Sequence, residues 1–164
     1  MAREGIGLTE QLNPELPMLG YTDKSTVKLD FDDAPFKTVK YWALRTMKWF
    51  RLRGFIILKS SKNHYHVIFD RSVTWKKNLH IVAWVALESG NPKLKKYHIM
   101  QCIKESSTLR VSAKREKLSP RVVFRYGEQD GAIKDFFRIR RLIKTLPSLS
   151  STNILKFRLY CFHF

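Results

Sequence analysis

The chain reads as an α+β fold, an antiparallel or mixed sheet in β-α-β-β order packed with helices. Three observations predict it. Residues 27–31 alternate apolar and polar side chains from a β-branched start, the period of a strand. Residues 36–53 carry Val39, Trp42, Ala43, Met47 and Phe50 at three- and four-residue steps, the period of a helix. Residues 54–59 and 65–69 are short apolar runs separated by a turn-prone Ser-Ser-Lys-Asn stretch that includes Asn63, which predicts a hairpin. Strand, helix and hairpin in that order suggest a sheet with helices laid against it.

The remaining elements follow in order. Residues 1–25, rich in Gly, Pro, Thr and Glu, lack a sustained period and read as an irregular N-terminal arm. Asp33 suits the N-cap of the helix at 36–53, whose exposed face carries Lys37, Lys40, Arg45, Lys48 and Arg51, and Gly54 suits its C-terminal stop. A second helix is expected over 76–88 with Leu79, Val82, Trp84 and Val85 inward, stopped by Gly90-Asn91-Pro92. A third follows over 93–104. Strands at 109–111 and 122–126 flank a basic loop. A helix over 130–146 turns Ile133, Phe136, Phe137, Ile139 and Ile143 inward and Arg138, Arg140, Arg141 and Lys144 outward. A Ser-rich linker and an apolar tail occupy 147–164, which leaves 26–146 as the expected main domain.

Composition narrows the function. A chain of 164 residues with 44% apolar and 13% aromatic content can build one core and is not a disordered segment. No membrane-spanning run or secretory signal is apparent, and Cys102 and Cys161 lack zinc-type spacing, so a reduced, cytoplasmic protein without a membrane partner is expected. The net charge of +17 is uneven: residues 1–33 hold 3 basic and 7 acidic side chains, whereas residues 34–164 hold 28 and 7. Such a field attracts phosphate backbones and anionic nucleotides.

Against that background, Asp30 and Asp32 stand out. Residues i and i+2 of a strand share a face, so these carboxylates aim at one spot and repel each other unless a cation lies between them. A divalent metal is the usual reason for such a pair. With the Asp strand beside the strand of His66, an imidazole can face the same cleft, and the turn bearing Ser60 and Ser61 can offer hydroxyls and N–H groups to a phosphate.

In this order and spacing the residues resemble the archaeo-eukaryotic primase superfamily, the primase-polymerases. An apolar strand ending in Asp-x-Asp is matched by Leu29-Asp30-Phe31-Asp32, and a Ser-to-His turn leading into a strand by Ser60 and His66. A later Arg-then-Lys segment is matched by Arg110 and Lys114, so that the resemblance covers roughly residues 26–126. It implies an RRM-like sheet order, and metal-dependent nucleotidyl transfer in DNA replication by the 26–146 catalytic domain; the small size of the chain suggests a plasmid or viral replication protein. It further implies Asp30 and Asp32 holding Mg2+ or Mn2+, and His66, Ser60, Ser61, Arg110 and Lys114 binding a nucleoside triphosphate. Template DNA, single-stranded or primed, would run over Lys40, Lys48, Arg51, Lys62 and Trp75, and a helicase or larger replication subunit would be the protein partner. The family usually supplies a third metal carboxylate before the Arg segment; here Glu105 is the candidate.

Two other readings use the same residues. His64 and His66 form a His-x-His run before three apolar residues, which resembles the metal motif of rolling-circle replication endonucleases, with Tyr97 as the candidate nucleophile and Met100 where a Lys is usual. A non-catalytic nucleic-acid-binding protein requires only the charge and the aromatics. More plainly still, Asp30 and Asp32 could be a solvated strand end and His66 a core histidine.

Overall fold

The computed structural model describes residues 19–113 and 118–145, which form six strands and four helices. They are β1 (Gly20–Asp23), β2 (Thr26–Phe31), α1 (Phe36–Phe50), β3 (Gly54–Ser61), β4 (His64–Ser72), α2 (Trp75–Ser89), α3 (Pro92–Lys104), β5 (Ser107–Arg110), β6 (Arg121–Gly127) and α4 (Ala132–Thr145). The chain is α+β, as its mixed periodicities predict.

The main sheet has the order β2-β4-β3-β6, and every neighbouring pair is antiparallel rather than mixed. β2 and β3 run in the same direction with β4 between them, a split β-α-β unit with α1 as its crossover. The Asp strand therefore lies against the His strand. β6 extends the β3 edge. A separate ribbon pairs β1 with β5. β1 lies in the stretch read from sequence as irregular: four residues are too few to display a period, and its partners are some 86 positions away.

Alternation sorts the sheet's side chains into two cores. Leu29, Phe31, Ile57, Val67 and Phe69 face α1 and α2, where Val39, Ala43, Ile81, Val82 and Val85 close over them. Ile56, Leu58 and Ile68 face the other way, against Ile133 and Phe136 of α4 and Tyr21 and Leu109 of the ribbon. Burying a large apolar side chain contributes about 1.5–3 kcal/mol, so these faces fix the register of β4 and with it the partner of every β4 residue.

Several boundaries move for local reasons. α1 stops at Phe50 because Arg51 and Arg53 take left-handed φ values of 54° and 67°. Gly54 opens β3 instead of ending the helix; a Cβ there would collide with the Glu128 backbone. Pro35, not Asp33, is the N-cap of α1, and Asp33 itself is left-handed and exposed. Gly90 ends α2 at φ 65°, Asn91 caps α3 by accepting from the N–H groups of Lys93 and Leu94, and Pro92 opens it, so the expected stop also starts the next helix. In α2 the buried stripe is Asn78, Ile81, Val82, Val85 and Ala86, with Trp84 partly covered and Leu79 intermediate. Arg140, expected outside, is half-buried and donates to the Pro120 carbonyl. The linker and tail at 147–164 lie outside the described residues. Among the described residues, no helix is long and apolar enough to cross a membrane.

Candidate active site

Register makes Asp30 of β2 the direct cross-strand partner of His66 of β4. His66 Nε2 lies 3.5 Å from Asp30 Oδ1. One step further along the same face, His64 donates from Nδ1 to Asp32 Oδ1 at 2.5 Å, and its Nε2 is 3.7 Å from Asp33 Oδ1. Asp30 of β2 and Asp32 just past its end thus face two imidazoles of β4, continuing the period of two of the strand.

Local structure holds this end of the sheet together. Asn63 takes φ 58° to close the β3–β4 hairpin, and Ser60 falls at an irregularity between the pairs Lys59–Tyr65 and Ser61–His64. Bulges of this kind re-aim side chains beside functional sites. Ser60 donates to the His64 carbonyl at 3.4 Å. The Ala34 N–H donates to the Asn63 carbonyl at 3.0 Å, and Asn91 Nδ2 to the Asp32 carbonyl at 3.3 Å. The loop after β2 is therefore pinned to both the hairpin tip and the start of α3.

The electrostatics are those of a charge without enough partners. Asp30 Oδ1 is enclosed and accepts no hydrogen bond, although 30% of the side chain remains exposed elsewhere. Burial, and then the neighbouring charge of Asp32, push the Asp30 carboxyl up to about 7, against the pull of His64 and Arg110. His66 is 5% exposed; burial and then the Arg110 guanidinium lower it to about 4, so it is neutral at pH 7.

Arg110 ends β5 and reaches this cluster from the ribbon. Burial lowers its guanidinium, with Asp30 opposing, and it donates to the carbonyls of Ser112 and Leu118 at 2.7 and 3.1 Å. His66, Arg110 and Arg140 line one small space, floored by Leu58, Ile68 and Phe136, that leaves no room for a water molecule. A nucleotide would have to meet these groups at the rim, where Asp30 and Asp32 are partly exposed.

Not every expected residue comes to this place. Glu105 caps the far end of α3 at φ 51° and lies 4.0 Å from Lys24, so it is not brought to the Asp pair. Lys114 lies outside the described residues. Ser61 flanks the cluster beside His64, and Lys62 is exposed at the hairpin tip. Lys40 holds its ammonium 4.3 Å over the Phe124 ring, Lys48 and Arg51 are exposed at the C-terminal end of α1, and Trp75 starts α2 half-buried. Of these, Arg51 lies in a groove at the opposite end of the sheet. Tyr97 donates to the Thr108 carbonyl at 3.3 Å and sits 3.4 Å from Ser107 Oγ, and burial raises its phenol further above its ordinary value. That is the reverse of what activates a nucleophile.

Sequence reasoning assigned no part in the Asp–His cluster to His64 or Arg140, and no partner to the buried Lys28 nearby. His64 binds Asp32, a role its two-residue spacing from His66 signals. Arg140 approaches from α4, which no spacing could reveal. Lys28, two positions before Asp30 on the same face, is fully buried and spans Asp23 at 3.2 Å and the Ser107 carbonyl at 2.9 Å. Burial lowers its ammonium to about 8 against the pull of Asp23.

No protein-family model, curated protein or solved structure matches the chain. The arrangement nonetheless bears on the metal that the sequence resemblance implies. Among the described residues, no three His, Cys, Asp or Glu side chains converge on one point as a ready-made cage. Mg2+, however, is commonly held by one or two carboxylates, with water and substrate phosphates completing its shell. The donorless oxygen of Asp30 beside Asp32 fits that mode.

Proposed function

We propose that the chain is a metal-dependent nucleotidyltransferase of the primase-polymerase kind, acting on DNA in the cytoplasm. The observation that carries this reading is the pairing of Asp30 with His66, with Asp32 one step away and one Asp30 oxygen lacking a donor. Asp30 and Asp32 would hold Mg2+ or Mn2+, which would supply positive charge against a nucleoside triphosphate and so favour attack of a hydroxyl on its α-phosphorus with departure of pyrophosphate. Neutral His66 is available as an uncharged hydrogen-bonding partner for a phosphate oxygen. Arg110 supplies a fixed positive charge behind it, and its donors not spent on carbonyls face the same anion. Ser60, Ser61 and Lys114 complete the triphosphate contacts, and His64 orients Asp32 through its Nδ1–H.

The test is extension of a primed template with dNTPs and Mn2+. Wild-type protein is expected to extend the primer, and Asp30→Ala and Asp32→Ala to lose at least a hundredfold in rate while keeping the circular dichroism of the parent. Extension that persists in both variants, or that never occurs with the wild type under salt-dependent DNA binding, sinks the reading.

A further inference from the structure

At the other end of the sheet, β4 opens onto two grooves that share Arg71 and Ser72. The larger, of about 1020 Å³, runs along α4 past Lys134, Arg138 and Arg141. The smaller, of about 660 Å³, passes Arg51 and Lys77 to reach Phe50. β4 rises about 17 Å between His66 and Arg71, so this surface is distinct from the Asp–His cluster.

Its carboxylates are already occupied. Glu128 and Asp130 pair with Arg53, and Asp135 lies 3.9 Å from Arg138. Asp70 is fully buried and accepts from the N–H groups of Gly131 and Ile133. Among the described residues, no carboxylate pairs with Arg51, Arg71, Lys77, Lys134 or Arg141. Arg71 gives one N–H to the Arg51 carbonyl at 2.8 Å, which leaves most of a five-donor guanidinium uncommitted. Five such cations along one surface repel each other unless a polyanion lies across them.

The smaller groove ends in aromatics. Lys77 lies 5.7 Å over the Phe50 ring, and Phe50 packs edge-on against Trp84 at 5.3 Å. Trp49 is stacked on Trp84 at 6.0 Å and 7°, yet is 69% exposed. A large, rigid indole held against Trp84 and open to solvent, one residue from the groove-lining Phe50, suits an unpaired base.

We propose that this surface binds single-stranded nucleic acid, with phosphates along Arg51, Arg71, Lys77, Lys134 and Arg141 and a base stacked on Trp49. The proposal shares with nucleotidyl transfer only the premise of a nucleic-acid partner. Binding of a fluorescein-labelled 12-nucleotide single strand and of the matching duplex, followed by anisotropy across a salt series, tests it. The triple variant Arg71→Ala/Lys134→Ala/Arg141→Ala is expected to bind the single strand at least tenfold more weakly, with a log–log salt slope shallower by about 2. Trp49→Leu is expected to lose about tenfold for the single strand and little for the duplex, and wild-type Trp49 should crosslink to a photoreactive base in the oligonucleotide. Unchanged affinity and slope in the triple variant overturn the cationic track, and equal losses on single strand and duplex in Trp49→Leu overturn the stacked base. Binding is read in chelator without nucleotide, so it does not depend on a metal held at Asp30 and Asp32. Groove variants that fail to bind beside a wild type that never extends a primer would therefore leave this proposal standing and the transferase reading fallen. Groove variants that bind as the wild type does, beside a wild type that extends a primer, would overturn the groove and keep the transferase.

Discussion

Asp30 and His66 are opposite ends of one proton balance. Asp30 is raised from 3.8 to about 7, so its contribution to stability is present below pH 4 and lost as pH rises through 7. His66 is lowered from 6.5 to about 4, so its contribution is present above pH 6.5 and lost as pH falls toward 4. Over the shared window the two trends oppose each other, and metal-free protein should show a nearly flat stability there. Asp30→Asn removes only the first. Relative to the parent, urea unfolding in chelator should show a gain that grows between pH 4 and 7 and levels off at about 2 kcal/mol, the shift discounted for the exposed part of the carboxyl. A constant difference across that range would show that Asp30 is not the group being titrated. The carboxylates and His66 were legible in the sequence because a period of two puts i and i+2 on one face. Arg140 was not, because a helix reveals which side is apolar but not which of its polar residues bends back toward a distant strand. Glu105 was misplaced for a related reason: closeness in sequence to Arg110 says nothing about the left-handed turn that sends it toward Lys24 instead.

At the level of elements, β4 does three separate jobs. Its N-terminal part supplies His64 and His66, its centre supplies both cores, and its C-terminal part supplies Asp70. Both Asp70 oxygens accept from the Gly131 N–H and one also accepts from Ile133 at 2.9 Å, so the start of α4 is held by a carboxylate from the sheet. Asp70→Ala should destabilise the protein by about 2–3 kcal/mol. It should also speed amide exchange at Ile133 more than at Val67; equal acceleration at both sites would mean that α4 does not open on its own. The strands of the split β-α-β unit and the helices with clear apolar stripes were readable from periodicity. β1 was not, since its identity depends on pairing with β5 far along the chain. Gly54 looked like a helix terminator but serves close backbone approach, because the left-handed turns at Arg51 and Arg53 had already ended the helix.

Across the whole molecule, charge is segregated by the ends of one sheet. Acidic groups and imidazoles gather where β2 ends and β4 begins, and unpaired cations gather where β4 ends. Divalent ions should therefore act locally: saturating Mn2+, at about a hundred times its dissociation constant, should raise the melting temperature by roughly 5 °C. The rise should vanish in Asp30→Asn/Asp32→Asn; a shift that survives would place the ion elsewhere. The length of β4 also acts as a gauge. The ~17 Å between His66 and Arg71 is the span of about five nucleotides of a stacked strand. If both ends take one strand, an oligonucleotide shorter than that would occupy one end of the molecule or the other without joining them, and β4 would set the shortest strand that spans both.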